Sequence, residues 1–353
     1  MIIRKLQVEN FRNLRAVDIQ PHAQLNYFHG ANGAGKTSVL EALVVLSRGR
    51  SFRTTQAAEL IGPHEGTFRV FSKVEGTGGQ LHRLGLERSG KRWRGRKDGH
   101  DLSQLSHLTR SLPLVLMDPD SHLLVSGPPE VRRRYLDWGM FHVEPGFLDS
   151  WRSFSKALKQ RNAALRNQQA AVLDSLDQVL ARHAEDLSGY RDSHCQAISG
   201  NILDMLGELN SGLSHISLAY MKGWSADAYG DQLRSNRSRD LERGMTMSGP
   251  HRADLGLSCG TIAARAVLSR GEQKVLAAAL LLTQAELLVS SGEHPVILLD
   301  DLASEFDRAH FDSVLQRALA IGSQVWVTGT RQAELSQPCS VFHVEQGQVR
   351  EVV

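Results

Sequence analysis

Gly30-Ala31-Asn32-Gly33-Ala34-Gly35-Lys36-Thr37 is a complete G-x-x-x-x-G-K-[ST] phosphate loop. An apolar stretch, Leu25 to Phe28, leads into it and reads as a strand. After it Val39, Leu40, Leu43, Val44 and Leu46 recur at helical spacing. The loop glycines let the backbone curl so that its N–H groups face phosphate oxygens. Gly30, Ala31, Asn32, Gly33, Ala34, Gly35, Lys36 and Thr37 are therefore the candidate nucleotide-binding residues. Lys36 is placed to reach the β- and γ-phosphates as a catalytic cation, and Thr37 to hold Mg²⁺ through its hydroxyl. The N-terminus of the following helix adds positive potential at the same point.

Working outward, 353 residues predict about two domains. With 41% apolar and 22% charged residues, the chain reads as globular. A net charge of +3 is only mildly basic, so nucleic-acid binding would need local patches. Cys195, Cys259 and Cys339 are odd in number and far apart, which predicts a reducing, cytoplasmic setting without disulfides. The fifteen histidines form no H-E-x-x-H and no paired Cys/His cluster, so no structural metal is expected. Met1 to Asn10 lacks the apolar core of a signal peptide, and Val275 to Leu282 is too short to span a bilayer.

The predicted organisation is an α/β ATPase domain in two pieces, 1–120 and 246–353, with a helical insertion over 121–245. Ile3, Leu6 and Val8, then Val17 and Ile19, then Leu25 and Tyr27 predict three strands. Phe68, Val70 and Val74, then Leu81, Leu84 and Leu86, continue a meander. Leu114 to Met117 reads as a buried strand. Val131 to Trp138 reads as helix. Phe147, Trp151, Phe154, Leu158 and Leu165 form one stripe, with Arg161 between the last two; Leu173 to Ala197 forms another. With a break near Asn167-Gln168-Gln169, these are either a short antiparallel arm or an ordinary helical subdomain. Asp231 to Arg243 reads as a loop. Beyond it come a strong helix within Ala266 to Val289, strands at Val296 to Leu299 and Val325 to Val327, and a hairpin over Val341 to Val353.

Val296-Ile297-Leu298-Leu299-Asp300-Asp301 is an apolar strand ending in two carboxylates. Beside a phosphate loop, such an acid holds Mg²⁺. Asp300 is the metal-side candidate, and Asp301 is the candidate to orient or deprotonate the attacking water. Leu268-Ser269-Arg270-Gly271-Glu272-Gln273 precedes an Ala- and Leu-rich helix. Ser269 and Gly271 are either a plain helix cap or a second anion site. The latter would mean that two subunits share each nucleotide.

The order of phosphate loop, Leu-Ser-x-Gly signature and Asp-ended strand is similar to the ABC/SMC-type ATPases, which sandwich two ATP molecules between heads. Further segments resemble the RecF family: Pro119-Asp120 with Gly127-Pro128-Pro129 and Arg132-Arg133-Arg134-Tyr135-Leu136-Asp137; Ser248-Gly249-Pro250-His251-Arg252-Ala253-Asp254-Leu255; Asp300-Asp301 through Ser304-Glu305-Phe306-Asp307; and Asn10-Phe11-Arg12-Asn13. The resemblance runs from end to end. It implies an ABC/SMC-like head, Arg12 and Asn13 among the nucleotide residues, ATP and Mg²⁺ as ligands, and an ATP-dependent homodimer on DNA. It also implies action at single-strand gaps and stalled forks, and partnership with RecR and RecO in loading RecA onto single-stranded DNA.

Departures from the ABC pattern bear on rate. Asp301 stands where those ATPases carry a Glu, and one methylene fewer draws the carboxylate back by about 1.5 Å. Misplacement of that order costs roughly a hundredfold in rate. Thr328-Gly329-Thr330 follows the strand Val325 to Val327 where a switch His is usual, no Q-loop glutamine is identified, and Phe306 replaces a Leu. These features predict a slow ATPase, a switch rather than a motor.

Arg88, Lys91, Arg92, Arg94, Arg96 and Lys97 flank Trp93 within ten residues. They are either a phosphate-contacting hairpin tip or a solvated turn. Arg132, Arg133 and Arg134 read as DNA contacts or as an internal clamp, and Arg234 to Arg243 is a weaker third basic site. Nothing resembles a base-reading helix, so any recognition would be of phosphate and shape. Two rival classes stay open. A membrane transporter's ATPase subunit shares the three motifs, and a small-metabolite phosphotransferase would need no Ser269 from another subunit.

Overall fold

Apolar residues at every second position build the first sheet of the computed structural model, which describes residues 1–63, 66–330 and 337–352. Strands β1 (Ile2–Phe11), β2 (Leu14–Ile19), β4 (Thr67–Glu75), β5 (Leu81–Ser89), β6 (Arg92–Lys97) and β7 (His100–Asp101) form it in the order β2-β1-β4-β5-β6-β7. All its pairings are antiparallel, for instance Val8 with Val17 and Val70 with Leu86. Leu6, Val8, Val70 and Leu86 turn inward while Glu9, Arg69 and Glu87 face out, the pattern of a sheet wetted on one side.

The second sheet reads differently because both its faces are covered. Strands β3 (Leu25–His29), β8 (Leu114–Met117), β12 (Val296–Leu299), β13 (Val325–Gly329), β14 (Cys339–Glu345) and β15 (Gln348–Val352) run in the order β15-β14-β3-β13-β12-β8. The central pairings are parallel. Continuous apolar runs such as Val296–Leu299 are buried throughout. Helices α1 (Lys36–Arg48), α2 (Ser106–Ser111), α11 (Leu302–Glu305) and α12 (Arg308–Ala320) complete this unit, together with most of α10 (Arg270–Ser290). By length and mean hydropathy, 1.2, α10 could cross a membrane, yet 67% of that window is buried; Leu276, Leu280 and Leu282 are fully enclosed, as in a core helix.

The chain divides into two units: Met1–Ser121 with Met205–Ser211 and Lys274–Val353, and His122–Asp204 with Gly212–Gln273. The second break falls later than residue 245. Strand β10 (Asp254–Cys259) pairs with β9 (Ile216–Met221) and β11 (Ile262–Ala263), which holds those residues in the second unit. Its helices are α3 (Leu123–Ser126), α4 (Pro129–Val143), α5 (Phe147–Arg166), most of α6 (Leu173–Glu208), α7 (Tyr229–Ser235), α8 (Arg237–Arg243) and α9 (Ala264–Val267). Phe154, Leu180 and Leu187 pack between α5 and α6, and Leu165 meets Leu173 at the hairpin end. Trp151, expected in the stripe, is 43% exposed.

Asp231 to Arg243 is helical rather than a loop. Tyr229 and Leu233 are fully buried, and the Asp240 carboxylate meets the Arg161 guanidinium at 2.7 Å. A polar sequence concealed one apolar face and one buried charge. The terminal hairpin turns at Gln346-Gly347 as expected; Val353 lies outside the described residues.

Candidate nucleotide site

Three positive-φ glycines shape the loop between β3 and α1: Gly30 at 155°, Gly33 at 78° and Gly35 at 118°. At Gly30 a Cβ would lie 2.1 Å from the Val344 carbonyl oxygen, so the neighbouring strand also excludes any side chain. The terminal hairpin braces the same loop, because the Gly347 N–H donates to the Ala34 carbonyl at 2.9 Å. Asn13 donates from Nδ2 to the Gly33 carbonyl at 3.0 Å and accepts from Ser38 Oγ at 2.9 Å.

Lys36 is buried, and its Nζ donates to the Gly30 and Ala31 carbonyls at 2.8 and 3.0 Å. Burial lowers its pKa, against the pull of Asp301 and Asp300. Thr37 Oγ1 donates to Asp300 Oδ1 at 2.9 Å, which ties the loop to the Asp-ended strand. Thr328 Oγ1 donates to the same oxygen at 2.8 Å. Burial raises the Asp300 pKa, and these two hydroxyl bonds pull it back. A hydroxyl beside a buried carboxylate is a hard oxygen pair, so Thr37 and Asp300 are the residues that would hold Mg²⁺.

Asp301 adopts φ 52°, and its N–H donates to Thr328 Oγ1 at 2.8 Å. Its Oδ2 accepts from Ser304 Oγ at 2.9 Å. Thr328, noted in the sequence only as standing where a histidine was expected, thus positions both acids. The cavity in front holds about 720 Å³ and is lined by Arg12, Asn13, Lys36, Thr37, Arg53 and Asp301 among others.

Arg12 reaches the wall by donating from Nη2 and Nε to Glu41 at 2.7 and 3.1 Å, and Arg53 Nη1 stands 3.4 Å from the same carboxylate. Glu41 is fully buried. Glu41 and Arg53 escaped the sequence reading. The available signal was a carboxylate inside the apolar run Val39 to Leu46.

Ser269 belongs to the second unit, where it caps α10. Its Oγ accepts from the Glu272 N–H at 3.3 Å, and Glu272 Oε2 accepts from the Ser269 N–H at 2.8 Å. This reciprocal pair is a capping box. Gly271 lies in the first turn of that helix, where a Cβ would stand 4.0 Å from Ser269 Oγ.

Four of the six cations of the basic hairpin are engaged within the fold, two of them by a carboxylate. Arg88 is buried over Trp93, 4.8 Å from the ring centroid. Arg94 and Arg96 share Asp101 at 2.8 and 2.7 Å and hold its carboxyl down at about 2. Lys97 donates to Ser111 Oγ at 3.0 Å. Lys91 and Arg92 stand at the turn itself. Arg132 clamps Asp254 through 2.7 and 2.8 Å bonds, Arg133 donates to the Ala253 carbonyl at 2.6 Å, and Arg134 pairs with Glu130. Arg132 and Arg133 thus tie α4 to the start of β10, while Arg134 is exposed and pairs within α4. Arg234 and Arg237 are likewise paired, with Asp231 and with Asp174 and Asp177.

The RecF/RecN/SMC N-terminal domain family matches residues 2–351. The DNA replication and repair protein RecF of Xanthomonas axonopodis pv. citri is 40% identical over 99% of this chain and 98% of its own. That of Stenotrophomonas maltophilia is 41% identical over 99% of each. The chain belongs to the RecF family. The solved structure of the recombination mediator protein RecF with ATP, of the RecFOR pathway, superposes with a TM-score of 0.90 at 23% identity, over 100% of this chain and 98% of that one. An Smc head bound to the C-winged helix domain of ScpA superposes at 0.61 with 16% identity, over 100% and 97%. These likenesses fix the fold as an ABC/SMC-like ATPase head, as the motif order implied. Among the described residues, no group of three or more His, Cys, Asp or Glu side chains is arranged to hold a metal ion.

Proposed function

We propose that this chain is an ATP-dependent DNA-binding switch of recombinational repair and replication-fork maintenance, working in the cytoplasm on the nucleoid. The observation that carries this reading is the 2.9 Å bond from Thr37 to Asp300, which joins phosphate loop and Asp-ended strand into one site. ATP enters the cavity with its phosphates on the loop N–H groups. Lys36 Nζ exchanges the Gly30 and Ala31 carbonyls for β- and γ-phosphate oxygens. Thr37 and Asp300 hold Mg²⁺, which when bound neutralises phosphate charge. Asp301 orients the attacking water and accepts its proton, while Thr328 and Ser304 hold the carboxylate still.

Ser269 and Gly271 of a second copy cover the triphosphate, so ATP closes a homodimer around duplex or gapped DNA without sequence preference. Hydrolysis is slow because the Asp301 side chain is short, and it opens the dimer. With RecO and RecR, the closed form promotes RecA loading on single-stranded DNA. Ser269→Arg tests the dimeric arrangement by light scattering. ATP-driven association should disappear while nucleotide binding by the monomer persists. Association that survives the substitution contradicts the shared site.

A further inference from the structure

The solvent face of α5 is basic along most of its length. Phe154, Ala157, Arg161 and Leu165 mark the buried side. Opposite them, Arg152, Lys156, Lys159 and Arg166 fall within an arc of about 80° at 3.6 residues per turn. Lys156, Lys159 and Arg166 are exposed, and Arg152 is half-buried. The row spans about 21 Å at 1.5 Å per residue, roughly six base-pair rises of duplex DNA. Asp149, near the start of α5, is its sole carboxylate.

A merely solvated helix face carries both signs, and this one does not. Among the described residues, no ion pair engages Lys156, Lys159 or Arg166. Several other exposed arginines are held by carboxylates: Arg94 and Arg96 by Asp101, Arg69 by Glu9 and Glu87, and Arg234 by Asp231. The charges also segregate between the two helices of the hairpin. On α6, exposed Asp174, Glu185, Asp186, Asp192, Asp204 and Glu208 stand against one exposed arginine of that helix, Arg182.

We propose that this face of α5 binds the sugar-phosphate backbone of duplex DNA. The inference rests on the reading that the chain binds DNA, and assigns that binding a surface outside the basic hairpin. The contacts are two lysine point charges and an arginine fork on phosphate oxygens, with nothing aimed at base edges. Each phosphate neutralised releases counterions, so each contact adds about 0.9 to the log–log salt slope.

The test is fluorescence anisotropy of the full chain with Mg²⁺-ATP on two duplexes of unrelated sequence, from 50 to 200 mM salt. Lys156→Gln/Lys159→Gln/Arg166→Gln should lose at least tenfold in affinity at low salt on both duplexes. Its slope should be shallower by about 2 to 3, and Lys156→Gln alone by about 1. Lys156→Arg/Lys159→Arg should bind as wild type does, and all variants should keep the melting temperature and DNA-free ATP turnover. A triple variant with the wild-type slope overturns the α5 assignment and leaves DNA binding standing. Wild-type chain that binds neither duplex overturns the DNA reading itself, and the α5 assignment with it.

Discussion

At the residue scale, the site depends on a few hydroxyls and charges held by neighbours. Asp301→Ala should lower ATP turnover about a hundredfold while nucleotide binding persists, giving long-lived ATP-bound dimers; single-turnover hydrolysis beside equilibrium binding checks this. Parallel losses of both would make Asp301 a binding residue. A different residue pair sets an acid limit on stability. Burial pushes the His194 and His251 imidazoles down to about 4. Both are therefore neutral in the fold and charge on unfolding. Their contribution is whole above about pH 6.5 and is lost as pH falls towards 4, at up to about 1.4 kcal/mol per pH unit for each. Thermal melts from pH 7 to 5 should show that slope, flattened in His194→Gln/His251→Gln; an equal slope in the variant removes these histidines as the cause. The phosphate loop, Asp300 and Asp301 were legible because their spacing is itself the chemistry. Thr328, Glu41 and Arg53 were not, because each acts through a neighbour that only folding brings near.

At the element scale, periodicity revealed the strands and long helices and failed where burial was polar. Arg161 is fully buried, bonded to Asp177 at 2.6 Å, Asp240 at 2.7 Å and Thr246 at 2.8 Å. No hydrophobic pattern announces such a centre, which is why α7 and α8 read as loop. Arg161→Ala would strand the buried Asp240 carboxylate and leave Asp177 with Arg237 as its only cation among the described residues, and should cost about 3–5 kcal/mol in urea unfolding of the second unit. A loss under about 1 kcal/mol would mean that water reaches Asp240. The terminal hairpin offers a contrasting element. At Gly347, φ is 77° and a Cβ would lie 1.9 Å from the Asn13 carbonyl oxygen. Gly347→Ala should therefore shift the hairpin off the phosphate loop and weaken ATP binding, measured by calorimetry, with little change in far-UV circular dichroism. Unaltered ATP affinity would show that the loop holds its shape without that brace.

At the scale of the whole molecule, the two six-stranded sheets follow from two sequence habits, alternation in the first and continuous apolar runs in the second. The long-range return that places Asp300 beside Thr37 was legible only through motif order, since 263 positions separate them. Surface charge was the least legible quantity. Clustered arginines at 88–97 suggested a patch, but β-pairing set Asp101 between two of them. The measurement that bears most directly on the central claim is binding to gapped duplex DNA with Mg²⁺-ATP, with Mg²⁺-ADP and without nucleotide, across a salt series. An ATP-closed clamp predicts tight, salt-sensitive binding with ATP alone. Equal binding in all three states, or none in any, would break the link between nucleotide and DNA and contradict the switch.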